Sequence, residues 1–233
     1  MLTTTLWNIF AHECNQEDDE WTNTECFSKL MEGLGKKEPD DEPLPYADIV
    51  RICGVQDALW ACGTETGPEH ARAWRLFIIH CAEQIDRQMS DRRSRKAIRV
   101  AKGYAQGKST DRALETAYWM ADDVFISKYR DDDEVDAAAA RVAVLASSPN
   151  EKVSTCLNEA VFSTTAAAMY ALGVQKGAAM KQTSIAGMLG YADENNPEAL
   201  DRFWRALDAE FLRIVSESEA VSQIAAPDQT ASA

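Results

Sequence analysis

The stretch ARAWRLFIIHCAEQI, residues 71–85, decides the fold. Trp74, Phe77, Ile78, Cys81 and Ile85 recur at i, i+3, i+4, i+7 and i+11, the spacing that lines one face of a helix. Gly67-Pro68-Glu69 just upstream reads as its start, with Pro68 in the first turn. Downstream, Ser90 or Asp91 is positioned to cap a second helix that runs to about Gln106. Gly107 stops it, and Ser109 or Thr110 caps a third segment with Leu114, Ala117, Tyr118, Ala121, Val124 and Phe125 at helical spacing. Residues 133–147 read as an Ala-rich helix. Ser148-Pro149-Asn150 breaks the chain before an apolar helix over residues 151–172. Residues 174–190, rich in Ala, Met and Gly, read as a helix that neighbours can approach closely, a candidate central element. The last helix starts with Asn196 as cap, Pro197 and Glu198, and carries Leu200, Phe203, Trp204, Leu207, Phe211 and Ile214.

Working outward to the N-terminal third, short helices are expected over Leu2–His12, Asn23–Leu34, Tyr46–Ile52 and Val55–Cys62. Acidic loops containing Gly and Pro join them, and Pro39–Pro45 is a candidate boundary. Strand signals are nearly absent. The expected fold is all-α, a multi-helix orthogonal or bundle-like single domain with an acidic, less regular N-terminal subdomain. Its parts are residues 1–66, the Ala-rich helical domain 67–216, and a flexible tail, 217–233.

The chain has 233 residues, 45% of them apolar, enough for a sizeable core. No run of about 18 apolar residues suggests a membrane span. The start, MLTTTLWNIFAHEC, lacks the basic opening and long apolar stretch of a secretory signal. A cytoplasmic setting with reduced cysteines is therefore expected.

The formal charge is −14 and is unevenly spread. Residues 1–66 carry −10, residues 67–130 carry +5, and residues 131–233 carry −9. The acids gather in runs: Glu17 to Glu20, then Glu38 with Asp40, Asp41 and Glu42, then Asp131 to Glu134 with Asp136. One such run reads most simply as a solvated loop or helix start. Three runs together suggest an acidic face that steers toward a basic partner. The middle segment bears Arg92, Arg93, Arg95, Lys96, Arg99, Lys102 and Lys108 with no acid between. Arg92, Arg95, Arg99 and Lys102 share a helix face, suited either to phosphate or to internal ion pairs. Pairing with the flanking acidic segments is the preferred expectation, because −14 overall repels phosphate.

The local motifs are poor in chemistry. Gly103-Tyr104-Ala105-Gln106-Gly107-Lys108-Ser109-Thr110 approximates a phosphate-binding loop, but its first Gly is one residue too close and it follows a helix rather than a strand. A helix stop and a helix cap explain the same residues. His12-x-Cys14 and His80-Cys81 are the closest metal-type pairings, and neither C-x-x-C nor H-x-x-x-H occurs. A zinc site assembled from distant residues stays open. No catalytic residue, cofactor or metal ligand is assigned from the sequence, and no enzyme is expected.

From about Leu59 to Met120 the chain resembles a family of immunity proteins from bacterial polymorphic-toxin systems, also found in phages. The stretches that carry this are DALWACG, ARAWRLFIIHCAEQI and SDRRSRKAIRVAKGYAQGKSTDRALETAYWMA, with Arg75-Leu76-Phe77, Cys81-Ala82 and Arg95-Lys96-Ala97-Ile98 at the matching positions. The chain departs from the family in its long acidic N-terminus and less repetitive C-terminal helices. The resemblance implies an all-α, non-enzymatic protein from a setting of conflict between bacteria and phages.

These readings converge on an acidic binding inhibitor that blocks a basic, nucleic-acid-handling protein. Nuclease-toxin immunity and phage inhibition of a defence complex, as anti-CRISPR proteins do, share that physics. The expected partner-binding residues are Asp18, Asp19, Glu20, Trp21, Asp40, Asp41 and Glu42, then Asp131, Asp132 and Asp133. Two other classes are a helical scaffold or homo-oligomer, and a nucleic-acid binder acting through Arg92–Lys108, which the overall charge disfavours.

Overall fold

The computed structural model describes residues 2–14, 24–65, 67–171 and 205–217. Helices dominate, as expected. The described residues divide into two units, one reaching Glu65 and resuming at Asp208, the other spanning Thr66–Leu207.

In the larger unit, α5 (Pro68–Gln84), α6 (Arg92–Ala105), α7 (Asp111–Arg130), α8 (Glu134–Ala146), α9 (Asn150–Val153) and α10 (Leu157–Ala171) follow in order. The five apolar positions of the opening stripe, Trp74, Phe77, Ile78, Cys81 and Ile85, are all buried. Helix starts obey local chemistry. The Asp91 carboxylate accepts the Arg93 N–H, Thr110 Oγ1 accepts the Ala113 N–H, and Asp133 accepts the Asp136 N–H. At the end of α6, Gly107 sits at φ 71°, and Lys108 N–H closes onto Gly103 O at 2.7 Å. This is a helix stop, with α6 rather than a strand before it.

Helix α8 lies at the centre of this unit, against α5, α6, α7 and α10. Ala137, Ala139, Ala140, Ala143 and Ala146 are buried together with Val142, Val144 and Leu145. Apolar residues surround the helix on nearly every side, and the alanines let four neighbours come close. The segment expected to be central, 174–190, lies outside the described residues, as do Asn196, Pro197 and Glu198. The expected helix over 151–172 is divided: a 3-10 turn at Ser154–Cys156 separates α9 from α10.

In the smaller unit, α1 (Leu6–Cys14), α2 (Thr24–Gly33), α3 (Tyr46–Cys53) and α4 (Val55–Ala61) surround Leu2, Leu6, Ile9, Leu30, Tyr46, Ile49 and Leu59. Two corrections arise here. Leu2–His12 does not begin as helix: β1 (Thr3–Thr4) pairs antiparallel with β2 (Leu44–Pro45), Thr3 opposite Pro45. That pairing ties Pro39–Pro45 back to the N-terminus, so the stretch is no boundary. Pro45, which has no N–H to donate, is tolerated because the strand is a two-residue edge.

Residues 205–217 form α11, whose Phe211, Ile214 and Val215 are buried. From Asp208 on, this helix groups with the N-terminal unit rather than with the Ala-rich domain, where the sequence placed it. A segment of some sixty residues has little core of its own, and an apolar helix face enlarges it. The segment 218–233 lies outside the described residues. No described helix is long and apolar enough to cross a membrane.

Candidate functional site

Helix α7 is twenty residues long and uses one face for the core: Leu114, Ala117, Ala121 and Val124 are buried. A second face points away from it. Trp119, Ile126 and Tyr129 are 59%, 39% and 64% exposed. With Glu115 and Asp122 they follow i, i+4, i+7, i+11 and i+14, an arc of about 80° at 3.6 residues per turn. The stripe therefore alternates carboxylate, aromatic, carboxylate, aliphatic and aromatic groups along one solvent-facing ridge. Neighbouring rings brace it: Tyr118 meets Trp119 edge-on at 5.1 Å, and Phe125 lies 6.0 Å from Tyr129. Arg141 stacks over Phe125 at 5.2 Å while its Nε donates to Glu159 at 2.6 Å.

At its N-terminal end the ridge opens into a hollow of about 420 Å³, between α7 and the turn that joins α8 to α9. Tyr104, Tyr118 and Trp119 form aromatic walls, and Asp111, Glu115, Glu151 and Lys152 bring three carboxylates against one ammonium. Among the described residues, neither Glu115 nor Glu151 is held in an ion pair. A rigid network forms the back of the hollow. The fully buried Arg75 donates from Nη1 to Ala146 O at 2.5 Å and from Nη2 to Ser148 O at 2.7 Å and Asn150 Oδ1 at 2.9 Å. Asn150 Nδ2 donates in turn to the Tyr104 hydroxyl at 3.1 Å, and that hydroxyl donates to Asp111 Oδ1 at 2.6 Å.

Burial lowers the Arg75 pKa to about 10, the cost of taking a cation out of water with no carboxylate beside it among the described residues. The carbonyls at the C-terminal end of α8 and the Tyr104 ring, 5.2 Å away, supply its negative surroundings. The hydrogen bond to Asp111 pushes the Tyr104 phenol up, so it stays protonated and keeps donating.

No family model, curated protein or solved structure matches the chain.

The acidic runs singled out in the sequence fall in three places. Asp18, Asp19, Glu20 and Trp21 lie outside the described residues. Asp40 and Glu42 both hold Lys36 Nζ, at 2.5 and 2.7 Å, and Asp40 O accepts the Trp7 N–H at 3.1 Å, while Asp41 is exposed. Lys36 keeps the Asp40 carboxyl below the usual range. This run thus ties a loop together and shares one cation.

Asp131, Asp132 and Asp133 form the turn from α7 to α8. Asp132 adopts φ 55°, and Asp133 both caps α8 and pairs with Lys128 at 3.0 Å. Lys128 also reaches Asp136 at 2.9 Å, and Asp136 accepts the Ser90 backbone N–H at 2.8 Å and the Ser90 hydroxyl. Asp131 and Asp132 remain exposed at the C-terminal end of the α7 ridge.

The basic stretch is divided. Arg93 pairs with Asp91 at 2.8 Å, Arg95 with Asp86 at 3.8 Å and Lys102 with Glu83 at 2.5 Å. These partners belong to the basic middle segment itself, not to the flanking acidic ones from which the sequence drew them. Arg92, Lys96 and Arg99 have no ion pair among the described residues. Of these, Lys96 lines a groove of about 320 Å³ between α6 and α7, with Arg93 and Arg112, over Val100, Ala113 and Met120, and no carboxylate is in that lining.

The Trp119–Ile126–Tyr129 ridge is not part of the helical stripe that the sequence marks, because Leu114, Ala117, Ala121 and Val124 on the same helix already supply a core-facing periodicity. The available signal was a second apolar periodicity, offset from the first and punctuated by Glu115 and Asp122.

Proposed function

We propose that this protein is a non-catalytic, acidic binding protein that covers a basic surface on another protein. It would act as immunity proteins do toward nuclease toxins, or as phage-encoded inhibitors do toward nucleic-acid-handling defence complexes. One observation carries the reading: the solvent-facing ridge of α7, where Trp119, Ile126 and Tyr129 alternate with Glu115 and Asp122. Rigid aromatics with little rotamer entropy are the residues that anchor protein interfaces. Carboxylates beside them select lysine and arginine, the groups that a nuclease or defence complex uses to hold phosphate.

The adjoining hollow suits one such side chain, since its aromatic walls favour a cation and Glu115 and Glu151 have charge to share. Asp131 and Asp132 extend the negative field past Tyr129. This reading keeps the partner class expected from the acidic runs and moves the anchoring residues from the N-terminal runs to α7.

The test compares two baits, the wild-type chain and a Trp119→Ala/Tyr129→Ala double variant, in bacterial lysate. The protein retained by wild type alone is then purified and titrated against both. The reading requires a basic protein whose binding weakens at least about tenfold in the double variant and falls with salt. Equal binding to both baits would remove the α7 ridge from the function.

A second reading rests on the α6–α7 groove, whose Arg93, Lys96 and Arg112 offer cations for phosphate. A gel shift with single-stranded oligonucleotide at low salt tests it. A shift lost in Lys96→Glu/Arg112→Glu supports nucleic-acid contact, and no shift eliminates it.

A further inference from the structure

In the smaller unit, Cys26, Cys53 and Asp57 bring two sulfurs and a carboxylate oxygen within 4.8 Å of one another. The first and the last are 31 positions apart in the chain, so no local motif marks them. The tertiary fold makes the cluster. Cys26 lies on α2 and is fully buried, and α2 packs on α3, whose last residue is Cys53. Gly54 then takes φ 91°, a conformation that favours glycine, so the chain turns sharply between α3 and α4. Asp57, in the first turn of α4, arrives beside Cys53 as a result. Cys53 Sγ donates to Cys26 O at 3.5 Å, a weak contact that orients the thiol.

We propose that Cys26, Cys53 and Asp57 form a binding site for a zinc-class divalent cation, with water in a fourth position. Two sulfurs exclude Mg2+ and Ca2+, which take oxygen, and favour a borderline-soft ion. Tetrahedral bonds of about 2.3 Å to sulfur place ligand atoms about 3.8 Å apart, so the observed cluster needs to contract by only about 1 Å. Cys53 and Asp57 are half-buried, which leaves a path for the ion past the buried Cys26. Binding would release the two thiol protons to solvent and leave both sulfurs as thiolates. The site also answers a physical need, since a small unit bearing a large acidic excess has little core and gains from a metal staple.

The experiment titrates Co2+ alone into the full-length chain, freshly reduced and freed of metal, then adds Zn2+ as competitor. The expected result is thiolate-to-cobalt charge-transfer absorption and tetrahedral ligand-field bands that saturate at one equivalent and vanish on adding Zn2+. Cys53→Ser removes most of the charge-transfer intensity. Asp57→Asn keeps the charge-transfer band and weakens affinity by about tenfold or more. Cys62→Ser, outside the cluster, changes neither. Zn2+ also raises the thermal midpoint of wild type and not of Cys53→Ser.

Absence of saturable absorption in the reduced protein would overturn the site, as would bands that persist in Cys53→Ser. So would a Cys26–Cys53 disulfide on air oxidation in a chain that binds no cobalt when reduced. Because Cys26 is buried and its replacement risks the fold, Cys53→Ser and Asp57→Asn carry the test.

Discussion

The guanidinium of Arg75, with no access to solvent, donates to Asn150 Oδ1 at 2.9 Å across 75 residues of chain. This contact joins α5 to the start of α9, and through Asn150 and Tyr104 it sets the back wall of the hollow beside α7. Among the described residues, no carboxylate shares the burial. The free carbonyls of Ala146 and Ser148, at the negative end of α8, do that work.

Arg75→Ala should therefore destabilise the larger unit by about 3–5 kcal/mol, through a cavity and two buried carbonyls left unpaired. Arg75→Lys should recover only part, because an ammonium lacks the planar fork that reaches Ala146, Ser148 and Asn150 together. Urea denaturation of the three proteins measures the order, and equal stability of Arg75→Ala and wild type would refute the role.

Trp119→Ala and Tyr129→Ala should each change stability by no more than about 0.5 kcal/mol, since both rings project into solvent. Loss of partner capture by variants with an unshifted urea midpoint separates a recognition surface from a packing one. A large loss of stability would mean that the ridge belongs to the core.

Gly107→Ala should cost about 1 kcal/mol, because φ 71° is a left-handed conformation that a Cβ disfavours. Lys108→Ala should change stability by less than about 0.5 kcal/mol. Isothermal titration with ATP or GTP should show no heat of binding for either variant or for wild type. That set of outcomes identifies Gly103–Thr110 as a helix connection.

Acid should weaken the joint between α7 and α8. Burial raises the Asp136 pKa, but hydrogen bonds from Ser90 and Lys128 outweigh it and hold the carboxyl below its ordinary value. The unfolded chain then binds the proton more readily, so the contribution of Asp136 is complete above the usual carboxylate range. It is lost as pH falls through the lowered folded value. Asp136→Asn should be less stable than wild type at neutral pH and converge with it in acid. Thermal midpoints measured across that range provide the check.

Local spacing alone was enough for helix identity and most helix ends. Trp74, Phe77, Ile78, Cys81 and Ile85 define α5 by themselves, and Asp91, Thr110 and Gly107 mark ends that need no tertiary partner. Caps and stripes act over one or two turns, so their physics is present in the order of residues. The N-terminal third was harder to read. A two-residue strand pair has no periodicity to detect, and Thr3 becomes a strand residue only because Pro45 returns to lie opposite it.

The candidate sites divide along the same line. The sequence by itself determined an all-α chain, its charge segregated into −10, +5 and −9 segments. Tertiary structure decided which charges are spent: Lys36 takes up Asp40 and Glu42, while Lys96 and Arg99 have no ion pair among the described residues. It also decided that Arg75, by type a surface residue, is buried beneath the Tyr104 ring, and that Cys26 meets Cys53. Helix formation depends on neighbours three and four positions away. Ion pairing, burial and ligand geometry depend on which distant segments arrive at the same point, and only the packed chain fixes that.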